Sequence, residues 1–100
     1  MFKILRIAGQ SLEPEFRDGD YVLVSKIPFF FRAPHSGDVV AFRKPPYGVM
    51  IKRVEYLTET GEVFVLGKDI ASVDSLQFGP IARRELLGKV IMHIQKPGRE

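Results

Sequence analysis

A serine hydroxyl is a weak nucleophile until a neighbouring base takes its proton. Ser11 stands in the stretch AGQSLEPEFRDGDYVLV, beside a proline-restrained turn and before a strand that opens Gly-Asp. It is an ordinary turn residue unless something elsewhere in the chain activates it. The two histidines offer little. His93 lies within IMHIQ, inside a strand pattern, and His35 follows Pro34 in a turn. Nothing in the spacing couples either to a serine and a carboxylate, and GQS lacks the second glycine of the nucleophile elbow G-x-S-x-G. Lysine is the other base. In GVMIKRVEYL the strand period of two puts Met50, Lys52, Val54 and Tyr56 on one face, and Val49, Ile51, Arg53 and Glu55 on the other. Lys52 thus shares its face with three residues that seek the core, unless a bulge reverses the order.

Burial disfavours an ammonium relative to the neutral amine. An unperturbed lysine is neutral in only about one molecule in 2,500 at pH 7. Lowering its pKa by about 3 units costs roughly 4 kcal/mol, which a small domain can bear at one site. The amine could then accept the Ser11 proton. The competing account is a lysine whose stem packs while its amine reaches water. A buried amine also needs partners to orient it. The run GKDIASVDSLQFGP offers Ser72, Asp74 and Ser75, either as that support or as a surface turn rich in side-chain caps.

The elements that must position these residues read as β. DYVLVSK, DVVAFRK, GVMIKRVEYL, EVFVLGK and LLGKVIMHIQ are β-branched-rich runs separated by the turn sequences RDGD, PHSGD, KPPYG and TETGE. They predict an all-β, mainly antiparallel fold, as a barrel or a coiled sheet, with a hairpin at TETGE and a frayed tail at KPGRE. At 100 residues, without repeat or linker, a single domain over 1–100 is expected. The absence of cysteine excludes disulfides, thiolate zinc sites and thiol nucleophiles, and two histidines are too few for a histidine-rich metal cluster. The net charge is +3 with the basic residues scattered, so no nucleic-acid partner is expected. No run reaches the roughly 20 apolar residues of a membrane span, and MFKILRIAG is too short for a signal peptide. The most hydrophobic cluster, IPFFF with Ile27, Phe29, Phe30 and Phe31, is either a core corner or a loop that dips into a membrane surface or a partner.

Read in order, four blocks resemble the S26 peptidases, the type I signal peptidase family, whose catalytic cores use a serine–lysine dyad on a β fold related to that of LexA. GQSLEPEFRDGDYVLVSK is similar to G-x-S-M-x-P-T-L-x-x-G-D-x-V-L-V. FFFRAPHSGDVVAFRKP is similar to R-x-P-x-x-G-D-V-V-x-F, MIKRV to I-K-R-V, and LGKDIASVDSLQFGPI to G-D-N-x-x-x-S-x-D-S-R-x-F-G-x-V. The resemblance implies Ser11 as nucleophile, Lys52 as general base, Ser72 orienting the lysine, and Asp74 and Ser75 supporting that loop, with no cofactor and no metal. Pro14 would stiffen the turn beside the nucleophile. Gly9 stands where some members carry an oxyanion-hole serine. Other departures are Leu12 for Met, Glu15-Phe16 for Thr-Leu, a segment between Gly67 and Ser72 shorter by one residue, and Leu76 for the arginine that would partner Asp74.

The implied activity is removal of an N-terminal leader or signal peptide from a precursor protein. The anchorless form fits a soluble, cytoplasmic member if the chain is full length, such as the branch that matures nickel-type superoxide dismutase. A decayed member that binds peptides without cutting is the alternative. A self-cleaving regulator of the LexA type would need a cleavable segment well upstream of Ser11, where only ten residues stand.

Overall fold

All five β-branched runs fold as strands, and a sixth strand precedes them. The computed structural model describes residues 2–8, 15–67 and 73–97. Its strands are β1 (Phe2–Arg6), β2 (Tyr21–Ser25), β3 (Val39–Lys44), β4 (Gly48–Leu57), β5 (Val63–Val65) and β6 (Leu86–Ile94). Two one-turn helices, α1 (Pro28–Phe31) and α2 (Ser75–Phe78), and a 3-10 turn at Arg83–Glu85 complete the described elements. Every strand pair is antiparallel, in the order β1-β2-β6-β3-β4-β5. The architecture is the mainly antiparallel all-β one expected.

The central strand β3 explains why VVAF is apolar without alternation. Val39 and Ala41 enter one core cluster with Ile7, Phe16, Val22 and Val24. Val40 and Phe42 enter a second with Val54, Val63, Val65, Ile81 and Leu86. A strand buried on both faces reads as a continuous hydrophobic run. Beside it, β6 passes so close to β2 at Gly88 that a Cβ there would stand 2.6 Å from the Ser25 carbonyl carbon and oxygen. Only glycine allows that approach.

Two turns with the same chemistry launch β2 and β3. In RDGD, Asp20 Oδ2 accepts the Arg17 N–H at 3.1 Å and the Asp20 N–H returns to the Arg17 carbonyl at 3.0 Å. In HSGD, Asp38 Oδ2 accepts the His35 N–H at 2.9 Å and the Asp38 N–H returns to the His35 carbonyl at 3.0 Å. The carboxylate and the backbone close each turn together, as Asx chemistry favours. The expected hairpin forms at TETGE, where the Thr58 N–H donates to the Glu62 carbonyl at 2.8 Å.

Three local expectations are corrected. The N-terminal segment, read only as too short for a signal peptide, is an edge strand paired with β2. Its apolar residues face both ways, Leu5 onto the first core cluster and Phe2 and Ile4 outward, so no alternation marks it. IPFFF is neither wholly core nor wholly loop. Pro28 starts a helical turn, as its fixed φ allows; Phe29 packs on the second cluster, while Phe30 and Phe31 stand exposed. The tail is not frayed at its start, because the Lys96 N–H donates to Asp20 Oδ1 at 2.9 Å.

Candidate active site

β4 carries Lys52 opposite Val40 of β3, with Val54 buried beside it on the same face. The lysine is 5% exposed, which places it with the core rather than on a solvated face. The period-two assignment survives from Met50 to Val54 and fails at Tyr56. There the register against β5 shifts between Val54 and Tyr56. The shift turns Tyr56 outward, where it stacks on Phe64 at 4.8 Å, and Leu57 packs on the second cluster in its place.

Asp74 and Ser75 stand at the edge of the sheet, beside β5, the strand that pairs with β4. Ser75 Oγ accepts the Val65 N–H at 3.0 Å, and both side chains are buried. Asp74 Oδ2 accepts the Gly67 N–H at 2.8 Å and Oδ1 the Leu76 N–H at 2.9 Å, while the Asp74 N–H donates to Gln77 Oε1 at 2.9 Å. Asp74 thus caps α2 in a capping box with Gln77 and clasps the two stems of the 68–72 segment. Leu76, exposed where the family pattern has arginine, leaves Asp74 well partnered by backbone donors.

The stretch that leads to β2 is held in a comparable way. The Ile7 N–H donates to the Asp20 carbonyl at 2.7 Å and the Gly19 N–H to the Ile7 carbonyl at 2.8 Å, closing a neck around residues 8–18. Asp20, 1% exposed, also takes its His93 partner there: Nε2 lies 2.8 Å from Oδ2. The ring of Phe16 packs on His93 with centroids 4.6 Å apart. Glu15 reaches across to β4 and pairs with Arg53, whose other guanidinium nitrogen donates to the Gly37 carbonyl at 3.2 Å. Sequence reasoning missed Asp20, His93, Glu15 and Arg53 as a set. Of their signals, only the unusual Glu15 was visible.

Ser11, Gly9, Pro14 and Ser72 lie outside the described residues. Lys52, Asp74 and Ser75 lie within them. Among the described residues no helix is long and apolar enough to cross a membrane, and no three His, Asp or Glu side chains gather as metal ligands would.

A second charged network braces the start of β3. Asp38 pairs with Arg32 at 3.0 Å and Lys89 at 3.8 Å. Burial alone would raise its pKa, but the Arg32 hydrogen bond, the His35 N–H and the charges of Lys89 and Arg32 outweigh it and hold the carboxyl below its ordinary value. Glu85 follows the same pattern: burial is outweighed by the Ala82 N–H and by Lys44. A carboxylate lowered on folding stabilises at neutral pH, and that contribution disappears as pH falls through its folded-state value. Asp38→Asn should therefore cost about 2 kcal/mol at pH 7, and the gap to wild type should begin to narrow below about pH 4 and close as pH falls through the lowered folded-state value. Urea midpoints at pH 7 and about pH 2 measure this; an equal gap at both would refute it.

Comparison with known proteins agrees with these elements. Residues 1–58 match the family model described as signal peptidase, peptidase S26. Signal peptidase I V of Bacillus subtilis is 33% identical over 72 residues, covering 66% of this chain and 43% of that protein. Thylakoidal processing peptidase 1 of Arabidopsis thaliana, a chloroplast protein, is 34% identical over 59 residues, 59% of this chain and 17% of that protein. The chain therefore spans less than half the length of either relative.

Proposed function

The chain belongs to the signal peptidase family, peptidase S26, and on that premise we propose that it is a serine endopeptidase that removes an N-terminal leader or signal peptide from a precursor protein, with Ser11 as nucleophile and Lys52 as general base. The burial of Lys52 carries this reading. Lysines are almost never buried to this degree unless paired, and a buried amine among apolar side chains is the arrangement a lysine base requires.

The substrate lies extended along a strand edge and gains backbone hydrogen bonds. Neutral Lys52 accepts the proton of Ser11 Oγ as that oxygen attacks the scissile carbonyl carbon. The Ser11 N–H stabilises the oxyanion, a donor worth about 3 kcal/mol. The tetrahedral intermediate collapses with cleavage of the C–N bond, and the lysine ammonium gives its proton to the departing amine. Water, deprotonated by the regenerated amine, then attacks the ester and releases Ser11. Ser72 keeps the amine aimed, and Asp74 and Ser75 hold the stems of that segment.

The test is cleavage of peptides containing Ala-x-Ala sites. Wild type should cut them, and Ser11→Ala and Lys52→Met should not. Equal turnover by either variant rejects the dyad. No turnover by any folded form favours the non-cleaving peptide binder.

Contact with a membrane surface is favoured by a separate observation: Phe31 is 85% and Phe30 63% exposed, beside Arg32. Ile27 flanks them, and Phe29, turned onto the core, contributes by holding the corner. Co-sedimentation with anionic vesicles should fall at least fivefold in a Phe30→Ser, Phe31→Ser double variant. Unchanged sedimentation would remove lipid contact at this corner.

A further inference from the structure

We propose that the chain forms a two-fold dimer in which β1 pairs antiparallel with β1 of a second copy, centred on Ile4. β1 is the edge of the sheet remote from β4 and Lys52, so the dimer is independent of the peptidase reading.

The two edges of the sheet differ. At β5 the outward backbone is already used. The Val63 N–H donates to the Ile81 carbonyl at 2.9 Å, the Ile81 N–H returns at 2.7 Å, and the Val65 N–H donates to Ser75 Oγ at 3.0 Å. At β1 the outward backbone is open. The Ile7 N–H donates to the Asp20 carbonyl, in step with the β1–β2 register. Bonding direction alternates along an antiparallel strand, so Leu5 and Lys3 also turn their backbone groups to β2. Those of Phe2, Ile4 and Arg6 point away from the sheet, where no described residue meets them. The side chains of these three share one face, and Phe2 is 56% and Ile4 65% exposed.

An exposed edge is a template for another strand unless proline, a bulge or charge blunts it. β1 holds no proline and runs against β2 without a register shift. Its charges, Lys3 and Arg6, select the partner and the register. In the pairing centred on Ile4, Ile4 meets the partner's Ile4, Phe2 meets the partner's Arg6, and Lys3 meets the partner's Leu5. No like charges stand opposite each other, and each guanidinium lies beside a phenyl ring, a favourable neighbour. Centring on Lys3 would set two ammonium groups opposite each other, and centring on Leu5 would leave Phe2 outside the pairing. The charge pattern of β1 is thus complementary to a second copy of itself. Assembly stops at the dimer, because the pairing uses both β1 edges and the β5 edges are covered. One short strand from each copy buries less than the roughly 1,200 Å² of stable complexes, so the dimer is weak.

The chain contains no cysteine, so single thiols report the register. Residues in a hydrogen-bonded antiparallel pair have Cα atoms about 5.5 Å apart, within the span of a disulfide. Ile4→Cys should therefore oxidise to a covalent dimer about tenfold faster than Lys3→Cys, whose two thiols stand out of step. A mixture of Phe2→Cys and Arg6→Cys should give the mixed disulfide in preference to either self-linked form. In sedimentation equilibrium the unmodified chain should pass from monomer to dimer as its concentration rises. Ile4→Lys, which sets two ammonium groups face to face at an exposed position, should stay monomeric with Tm unchanged. Equal oxidation of Ile4→Cys and Lys3→Cys overturns the proposal, as does a monomer at every concentration of the unmodified chain. A dimer that survives Ile4→Lys also overturns it, because that dimer uses another surface.

Discussion

Lys52→Met is expected to abolish peptide cleavage. The lysine sits among apolar neighbours. It is paired with Val40, is flanked by Val54 and is 5% exposed. An amine there pays desolvation, and methionine keeps the length of the side chain without the base. On the proposed mechanism, Ser11 then keeps its proton through the attack and the leaving amine receives none. Removing a general base that also serves as general acid should cost roughly 10³-fold or more in kcat/KM. A methionine variant retaining activity within threefold of wild type would sink the assignment. A variant that is both inactive and unfolded would show that Lys52 is needed for folding; Ser11→Ala then carries the catalytic question.

Asp20→Ala is expected to give the largest loss of stability, about 4 kcal/mol. Asp20 is 1% exposed and accepts the Arg17 N–H, the Lys96 N–H and His93 Nε2, while its backbone closes the neck with Ile7. Alanine leaves three donors facing a cavity. In a 100-residue domain each kcal/mol shifts Tm by about 4–8 °C, so the melting temperature should fall by roughly 15–30 °C. His93→Gln, which removes one partner and keeps the two backbone bonds, should cost much less. If Asp20→Ala melts within about 5 °C of wild type, the carboxylate is not the anchor of this end of the sheet.

The Asp20 cluster also shows where reading a sequence stops. The five strands were legible because β-branched runs alternate with turn residues at short spacing, and such patterns depend on neighbours only. The inward direction of Lys52 was legible too, since three positions of a strand decide it. Tyr56 was misplaced because a bulge against β5 breaks the period, and a bulge depends on the partner strand. β1 went unseen because Leu5 is partly buried against a cluster that other strands build, while Ile4 stays exposed.

By itself, the sequence determined the antiparallel β class, the absence of thiol chemistry, and a lysine aimed at the core of β4. The tertiary structure decided which charges meet. Asp20 and His93 are 73 positions apart, and Glu15 and Arg53 are 38 apart. No local period encodes those distances, because they arise only when the packing of β6 against β2 and the approach of Glu15 to Arg53 on β4 bring the chain's distant parts into contact.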